Sequence, residues 1–139
     1  MKIIPAPNEL TAPYWEAAHE RRLSMQRCTQ CGRLSHPPVV SCPRCHSRTF
    51  RWDEMSGRGS IYTFTVVAHS VHPVSANATP YIIALVELAE GPRILANLRG
   101  CEVDDVRIGL AVEVLFEDVD DAVALPQFTP AQDPTEEPA

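Results

Sequence analysis

Apolar positions along the chain follow two spacings. From Tyr14 to Met25 (YWEAAHERRLSM) every residue is an ordinary helix former, and Trp15, Ala17 and Ala18 give a modest apolar face. This predicts a helix, capped at Thr11 and tolerating Pro13 in its first turn. After Ser56-Gly57-Arg58-Gly59, which reads as a turn, the pattern becomes that of strands. Ser60–Ala68 (SIYTFTVVA) is rich in β-branched and aromatic residues, and Pro80 opens a second run, Tyr81–Ala89. Glu90-Gly91-Pro92 turns into a third, Arg93–Leu98, so that a hairpin is expected over 87–98. Val103–Leu110 carries a short turn around Asp104-Asp105. Ala111–Glu117 (AVEVLFE) alternates apolar and polar residues as a half-buried strand does, and Val123–Phe128 is a fifth candidate. Between helix and strands, residues 26–52 hold too much Cys, Pro and Ser for long elements, so short β-hairpins fit best.

Five strands with unequal loops over about seventy residues suit a small closed barrel, for which an OB-fold is the leading candidate. Hydrophobic content of 45% is enough for a packed interior, and the apolar runs are far shorter than a membrane span. MKIIPAPNEL lacks the apolar stretch and small-residue cleavage site of a secretory signal, so a cytoplasmic protein is expected. The net charge of −6 divides unevenly: residues 1–58 hold nine Lys/Arg and five Asp/Glu, residues 59–139 three and thirteen. A basic front suits a phosphate-bearing small molecule or an acidic partner. The acidic back argues against a general nucleic-acid binder, which needs a broad basic surface.

Four of the five cysteines form two close pairs, Cys28-Thr-Gln-Cys31-Gly32 and Cys42-Pro-Arg-Cys45-His46. Two residues between cysteines let both sulfurs of a tight turn face one ion, and two such turns complete a tetrahedron around Zn²⁺. Gly32 suits the backbone after the second sulfur, where positive φ is common. His46 stands at the matching place of the second turn and is among the non-glycine residues that tolerate that region. Four thiolate ligands leave no open position, so the expected role of the metal is structural. A redox Cys-x-x-Cys or an iron–sulfur centre are the alternatives, and His36 and His46 are read as surface histidines rather than ligands. Residues 26–52 contain few large apolar side chains, so the metal supplies a cross-link that burial alone does not.

Taken in order, these features resemble a known family. Tyr14-Trp15, Gln26-Arg27-Cys28-x-x-Cys31-Gly32, His36-Pro37-Pro38 and Cys42-Pro43-x-Cys45 form one half of the pattern. Gly57-x-Gly59-x-Ile61-Tyr62-x-Phe64-Thr65-Val66, Pro80-Tyr81, Val86-Glu87-Leu88, Gly91, Ile108-Gly109 and Phe128-x-Pro130 form the other. Over residues 13–130 this is similar to the acyl-CoA-associated proteins in which a rubredoxin-like zinc ribbon is fused to an OB-fold. Two positions depart from the pattern: His46 replaces a usual glycine, and Arg22 stands where glycine is common before Leu23. The resemblance implies a mainly β fold, with a lead-in and helix over 1–25, a zinc ribbon over 26–56, a five-stranded barrel over 57–130 and a disordered acidic tail over 131–139. It also implies a non-catalytic subunit partnered with a thiolase-fold enzyme (a thiolase, an acyltransferase or a lipid-transfer-type aldolase). Such a subunit helps bind or channel an acyl-CoA, with steroid breakdown among the settings, and packs an apolar barrel edge against the enzyme.

Arg27, Arg33, Arg44, Arg48 and Arg51, with Arg58 just beyond, cluster in the ribbon. Guanidinium groups suit phosphate oxygens through paired donors, which makes the first five candidates for the phosphates of CoA. A solvated face or a contact for an acidic partner is the plainer alternative. Trp52 and Phe64 read as core residues. Cys101 with His69 or His72 would make a nucleophile only if they met in space, and a lone cysteine is more often a small buried hydrophobe. Nucleic-acid binding through Tyr62 and Phe64 is the second functional class, weakened by the absence of an accompanying basic groove.

Overall fold

A computed structural model describes residues 4–69 and 80–131. One helix, α1 (Ala12–His19), precedes eight strands: β1 (Ser24–Cys28), β2 (Leu34–Ser35), β3 (Phe50–Glu54), β4 (Arg58–Val67), β5 (Tyr81–Leu88), β6 (Arg93–Leu98), β7 (Ala111–Asp118) and β8 (Ala124–Pro130). The first three form an antiparallel sheet in the order β2-β1-β3, and the last five close into a barrel in the order β4-β5-β6-β8-β7. The fold is therefore mainly β, a ribbon followed by a five-stranded OB-type barrel, as expected. Among the described residues no helix is long and apolar enough to cross a membrane.

The helix is shorter than its sequence predicts. It ends at His19, and Ser24–Cys28, the first two of which fell within the predicted helix, form a strand. The stop is a left-handed turn at Arg21 (φ 64°), with Arg21 N–H donating to Ala18 O at 3.0 Å and Arg22 N–H to Ala17 O at 2.8 Å. This is the usual helix-ending pattern, but built without glycine, so no composition signal marks it. Thr11 occupies the N-cap without capping through its side chain. Its hydroxyl instead accepts from Asn8 N–H at 3.0 Å.

The predicted turn at Ser56–Gly59 gives way to strand already at Arg58. Gly57 sits at φ 79° with no room for a Cβ beside Val114, and a Cβ at Gly59 would meet the carbonyl of Glu87. These two glycines let β4 cross close over β5 and β7, pairing Gly59 with both Leu88 and Val112. Strand β8 runs to Pro130, two residues beyond its predicted end. The predicted loop at 69–79 lies, apart from His69, outside the described residues, as does the tail beyond Ala131.

Strand β5 alternates as its sequence requires: Ile82, Ala84, Val86 and Leu88 are buried while Tyr81, Ile83, Leu85 and Glu87 face outward. The inward set joins Ile61, Ile94, Leu98, Val112 and Phe128 in one cluster, to which Tyr14, Leu23, Met25 and Met55 also belong. Helix, ribbon base and barrel thus share a single interior. Trp52 and Phe64 are partly buried and pack against it.

Candidate metal centre

The two cysteine turns have the same construction. Gly32 N–H donates to Cys28 O at 2.9 Å, and Cys28 N–H to Arg33 O at 2.9 Å. In the second turn His46 N–H donates to Cys42 O at 2.8 Å, and Cys42 N–H to Ser47 O at 2.8 Å. Gly32 (φ 80°) and His46 (φ 67°) hold equivalent left-handed places. A Cβ on Gly32 would meet nothing within 4 Å. The position therefore demands a conformation rather than space, which is why a histidine serves in the other turn.

These turns bring all four sulfurs within 4.8 Å of one another. Cys28 Sγ lies 3.5 Å from Cys45 Sγ, and Cys31 Sγ 3.6 Å from Cys42 Sγ. A tetrahedron with Zn–S bonds of about 2.3 Å has edges of about 3.8 Å, so the donor set has the size and chemistry for zinc. Backbone N–H groups reinforce it. The N–H of Cys31 draws the Cys28 thiol down to about 6, and that of Cys45 lowers Cys42. Cys45 goes the other way: the Ser47 N–H draws it down, but burial and the three neighbouring thiols push it up to about 12. Four clustered thiols do not all ionise without a cation among them, and a divalent ion removes that conflict. Cys28 and Cys42 are buried, Cys45 is exposed, and every corner of the tetrahedron is a protein sulfur.

Neutral hydrogen bonds tie the two turns together. Thr29 Oγ1 lies 2.7 Å from Thr49 Oγ1, which lies 3.0 Å from Ser47 Oγ. Buried Gln26 holds the intervening segment by both ends of its amide, donating to Val39 O at 3.0 Å and accepting from Val39 N–H at 2.8 Å. His36 is not the surface histidine expected. It is half-buried with its ring 5.2 Å from that of Tyr14, and burial lowers its pKa. His46 is exposed.

The five candidate arginines fall into two groups. Arg27 and Arg51 are cross-strand partners, a like-charge pair made tolerable by Asp53. Arg27 Nε donates to Asp53 Oδ2 at 2.5 Å and Arg51 Nε to Asp53 Oδ1 at 3.0 Å. Hydrogen bonds from Arg27, then Arg51, hold the Asp53 carboxyl below its usual range. Arg33, Arg44 and Arg48 are exposed. Arg33 lines a recess of about 350 Å³ together with His36, Pro43, Pro92 and Arg93.

Arg93 has a place that the sequence reading missed. Its guanidinium lies 3.6 Å over the Tyr62 ring and pairs with Glu87 at 3.2 Å. The expected turn at 90–92 would set Ala89 opposite Arg93, whereas the structure sets Glu87 there. With a cation on its face, Tyr62 is not an open stacking platform. Cys101 packs against the core. Burial, then the carboxylates of Asp105 and Glu102, push its thiol up, the reverse of what a nucleophile needs. His72 lies outside the described residues.

Ribbon and barrel together define a class: a four-cysteine ribbon continuous with an OB-type barrel. Residues 15–51 match the model of the ChsH2 rubredoxin-like zinc ribbon domain, and residues 52–117 that of the ChsH2 C-terminal OB-fold domain. The chain belongs to this ChsH2 (DUF35) family. It is similar to a probable enoyl-CoA hydratase alpha subunit of Thermomonospora curvata, 44% identical over 91% of this chain but only 39% of that protein. The chain thus spans well under half the length of that relative. A DUF35 domain-containing scaffold protein of Methanocaldococcus jannaschii is 40% identical over 70% of this chain and 72% of that protein. The benzoylsuccinyl-CoA thiolase subunit BbsA of Geobacter metallireducens is 34% identical over 81% and 68%. Among solved structures, a chain of the Ltp2-ChsH2(DUF35) aldolase superposes with a TM-score of 0.82 at 41% identity, covering 91% of this chain and 98% of that one.

Proposed function

We propose that the chain is a non-catalytic scaffold subunit of an enzyme complex acting on acyl-CoA, with a thiolase-like enzyme or a lipid-transfer-type aldolase as its partner. One observation carries this: the metal site closes on four protein sulfurs, so it offers cross-linking and no reaction centre. Likeness over nearly the whole length of a chain from an Ltp2-ChsH2(DUF35) aldolase, and to a benzoylsuccinyl-CoA thiolase subunit, supports the partner class. In this reading Cys28, Cys31, Cys42 and Cys45 hold a structural zinc that orders the ribbon. The ribbon presents Arg44 and Arg48 toward the CoA phosphates, while Arg33 lines the recess beside Arg93 and Arg27 and Arg51 are braced by Asp53. The barrel packs on the enzyme, and the ribbon and barrel divide near residue 57.

Co-expression of a tagged copy with the products of its neighbouring genes tests the reading. Expected is a stoichiometric complex holding one zinc per scaffold chain and showing enzyme activity that the separated enzyme lacks. Recovery of the tagged chain alone overturns it.

A further inference from the structure

Strand β6 has an open edge. Its register with β5 sets Glu87 opposite Arg93, Leu85 opposite Leu95 and Ile83 opposite Asn97. Leu88 N–H donates to Pro92 O at 2.9 Å, which fixes the alternation. Ile94, Ala96 and Leu98 turn their main-chain groups to β5, while Arg93, Leu95 and Asn97 turn theirs away. On that far side the barrel closes through one parallel pair, Leu98 with Phe128. The Asn97 N–H is met by the Gln127 side chain at 2.9 Å, and Arg99 N–H by Phe128 O at 2.7 Å. The edge groups of Arg93 and Leu95 have no partner among the described residues. Leu95 itself is 66% exposed, although its neighbour Ile94 is buried.

Two recesses flank this edge. One, of about 280 Å³, is lined by Trp15, Ile83, Leu95, Leu125 and Asn97 and is mainly apolar. The other is the recess of Arg33, His36 and Arg93. The Tyr14 ring in the first wall lies 5.2 Å from that of His36 in the second, so the two adjoin. Along β6 they sit at Leu95 and Arg93, two residues or about 7 Å apart, the spacing of same-face side chains on an extended chain. Arg33, unlike Arg27 and Arg51, makes no ion pair among the described residues.

We propose that this edge is a strand-addition site for an extended segment of a partner polypeptide. That segment places an apolar side chain in the Leu95 recess and an acidic one beside Arg33. Open N–H and C=O groups select an extended chain over a helix, whose own groups are already paired. Alternating recesses then choose its side chains, and the free guanidinium sets its charge. The proposal deepens the scaffold reading and rests on it for the source of the segment.

The test selects a displayed library of random twelve-residue peptides on the full zinc-loaded chain. Expected are peptides with apolar residues at alternate positions and an acidic residue two places along. Their binding should protect the Arg93 and Leu95 amides from hydrogen exchange. Leu95→Pro removes one outward N–H and leaves the β5 ladder whole, so it should weaken binding at least tenfold, and Leu95→Ala less. Should Leu95→Pro not fold, Arg33→Glu serves: acidic peptides should lose several-fold in affinity and lysine-swapped ones gain. No enrichment, or equal binding by both variants, overturns the proposal. So does self-association abolished by Leu95→Pro, which assigns the edge to a second copy, and so does enzyme capture undiminished by that change. Selected peptides that bind the edge while no enzyme is captured at all overturn the scaffold reading and leave the edge standing.

Discussion

Residues 24–54 and 58–130 both build mainly antiparallel sheet, but different forces hold them. Barrel strands interlock through Ile61, Ile82, Val86, Ile94, Val112 and Phe128, all buried and apolar. Beyond Met25, the ribbon's buried positions are Cys28, Cys42, Gln26 and the serines 24 and 35, whose hydroxyls have no partner. A sheet with that interior gains little from leaving water. What is left to order it is the four-cysteine cluster, which fits a zinc ion, and the main-chain bonds to Gln26. Where apolar area is scarce, directional bonds replace it, and the structure becomes sensitive to single atoms.

The contrast can be broken at several points. Removing the metal with a chelator, or changing Cys42→Ser, should have the largest effect, because structural zinc contributes roughly 10–16 kcal/mol in small finger peptides. Amide exchange should show the β1 and β3 amides losing protection while β5 and β6 keep it. If all go together, the shared core makes the two regions one cooperative unit and the contrast fails. Phe128→Ala should cost about 3–5 kcal/mol in denaturant unfolding of the zinc-loaded chain, since Phe128 is fully buried at the barrel seam. Gln26→Ala leaves Val39 N–H and C=O without their buried partner and should cost about 1–3 kcal/mol, with local exchange rising around Val39.

The smallest effect concerns the tie between helix end and barrel. Arg21 donates to both oxygens of Asp118, at 2.9 and 2.5 Å, and this hydrogen bonding holds the Asp118 carboxyl below its usual range. A depressed folded-state pKa contributes stability above the unfolded value, near 3.9, and loses it as pH falls through the folded one. The difference in melting temperature between the wild type and Asp118→Asn should therefore be small, constant at neutral pH, begin to shrink at about pH 4 and vanish only below the depressed folded-state pKa.

Much of the fold was legible because its signals are local. β5 alternates at period two, Arg93–Leu98 was bounded correctly by Gly91-Pro92 and Arg99-Gly100, and the paired Cys-x-x-Cys turns announce their own geometry. The helix end was missed because Arg21 adopts a conformation usually left to glycine. Its compensation, the bond to Asp118, comes from 97 residues away. His36 was misplaced for a similar reason: Tyr14, the ring that covers it, belongs to another element.

By itself, then, the order of residues determined the four-cysteine cluster and the strands of the barrel, since each depends on neighbours a few positions apart. Only the tertiary structure decided which charges are spent and which surfaces are left over. Asp53 occupies Arg27 and Arg51 but not Arg33, and β6 meets β8 at a single pair. Both outcomes follow from how strands converge in space, where Coulomb attraction and main-chain pairing act over a few ångströms regardless of separation along the chain.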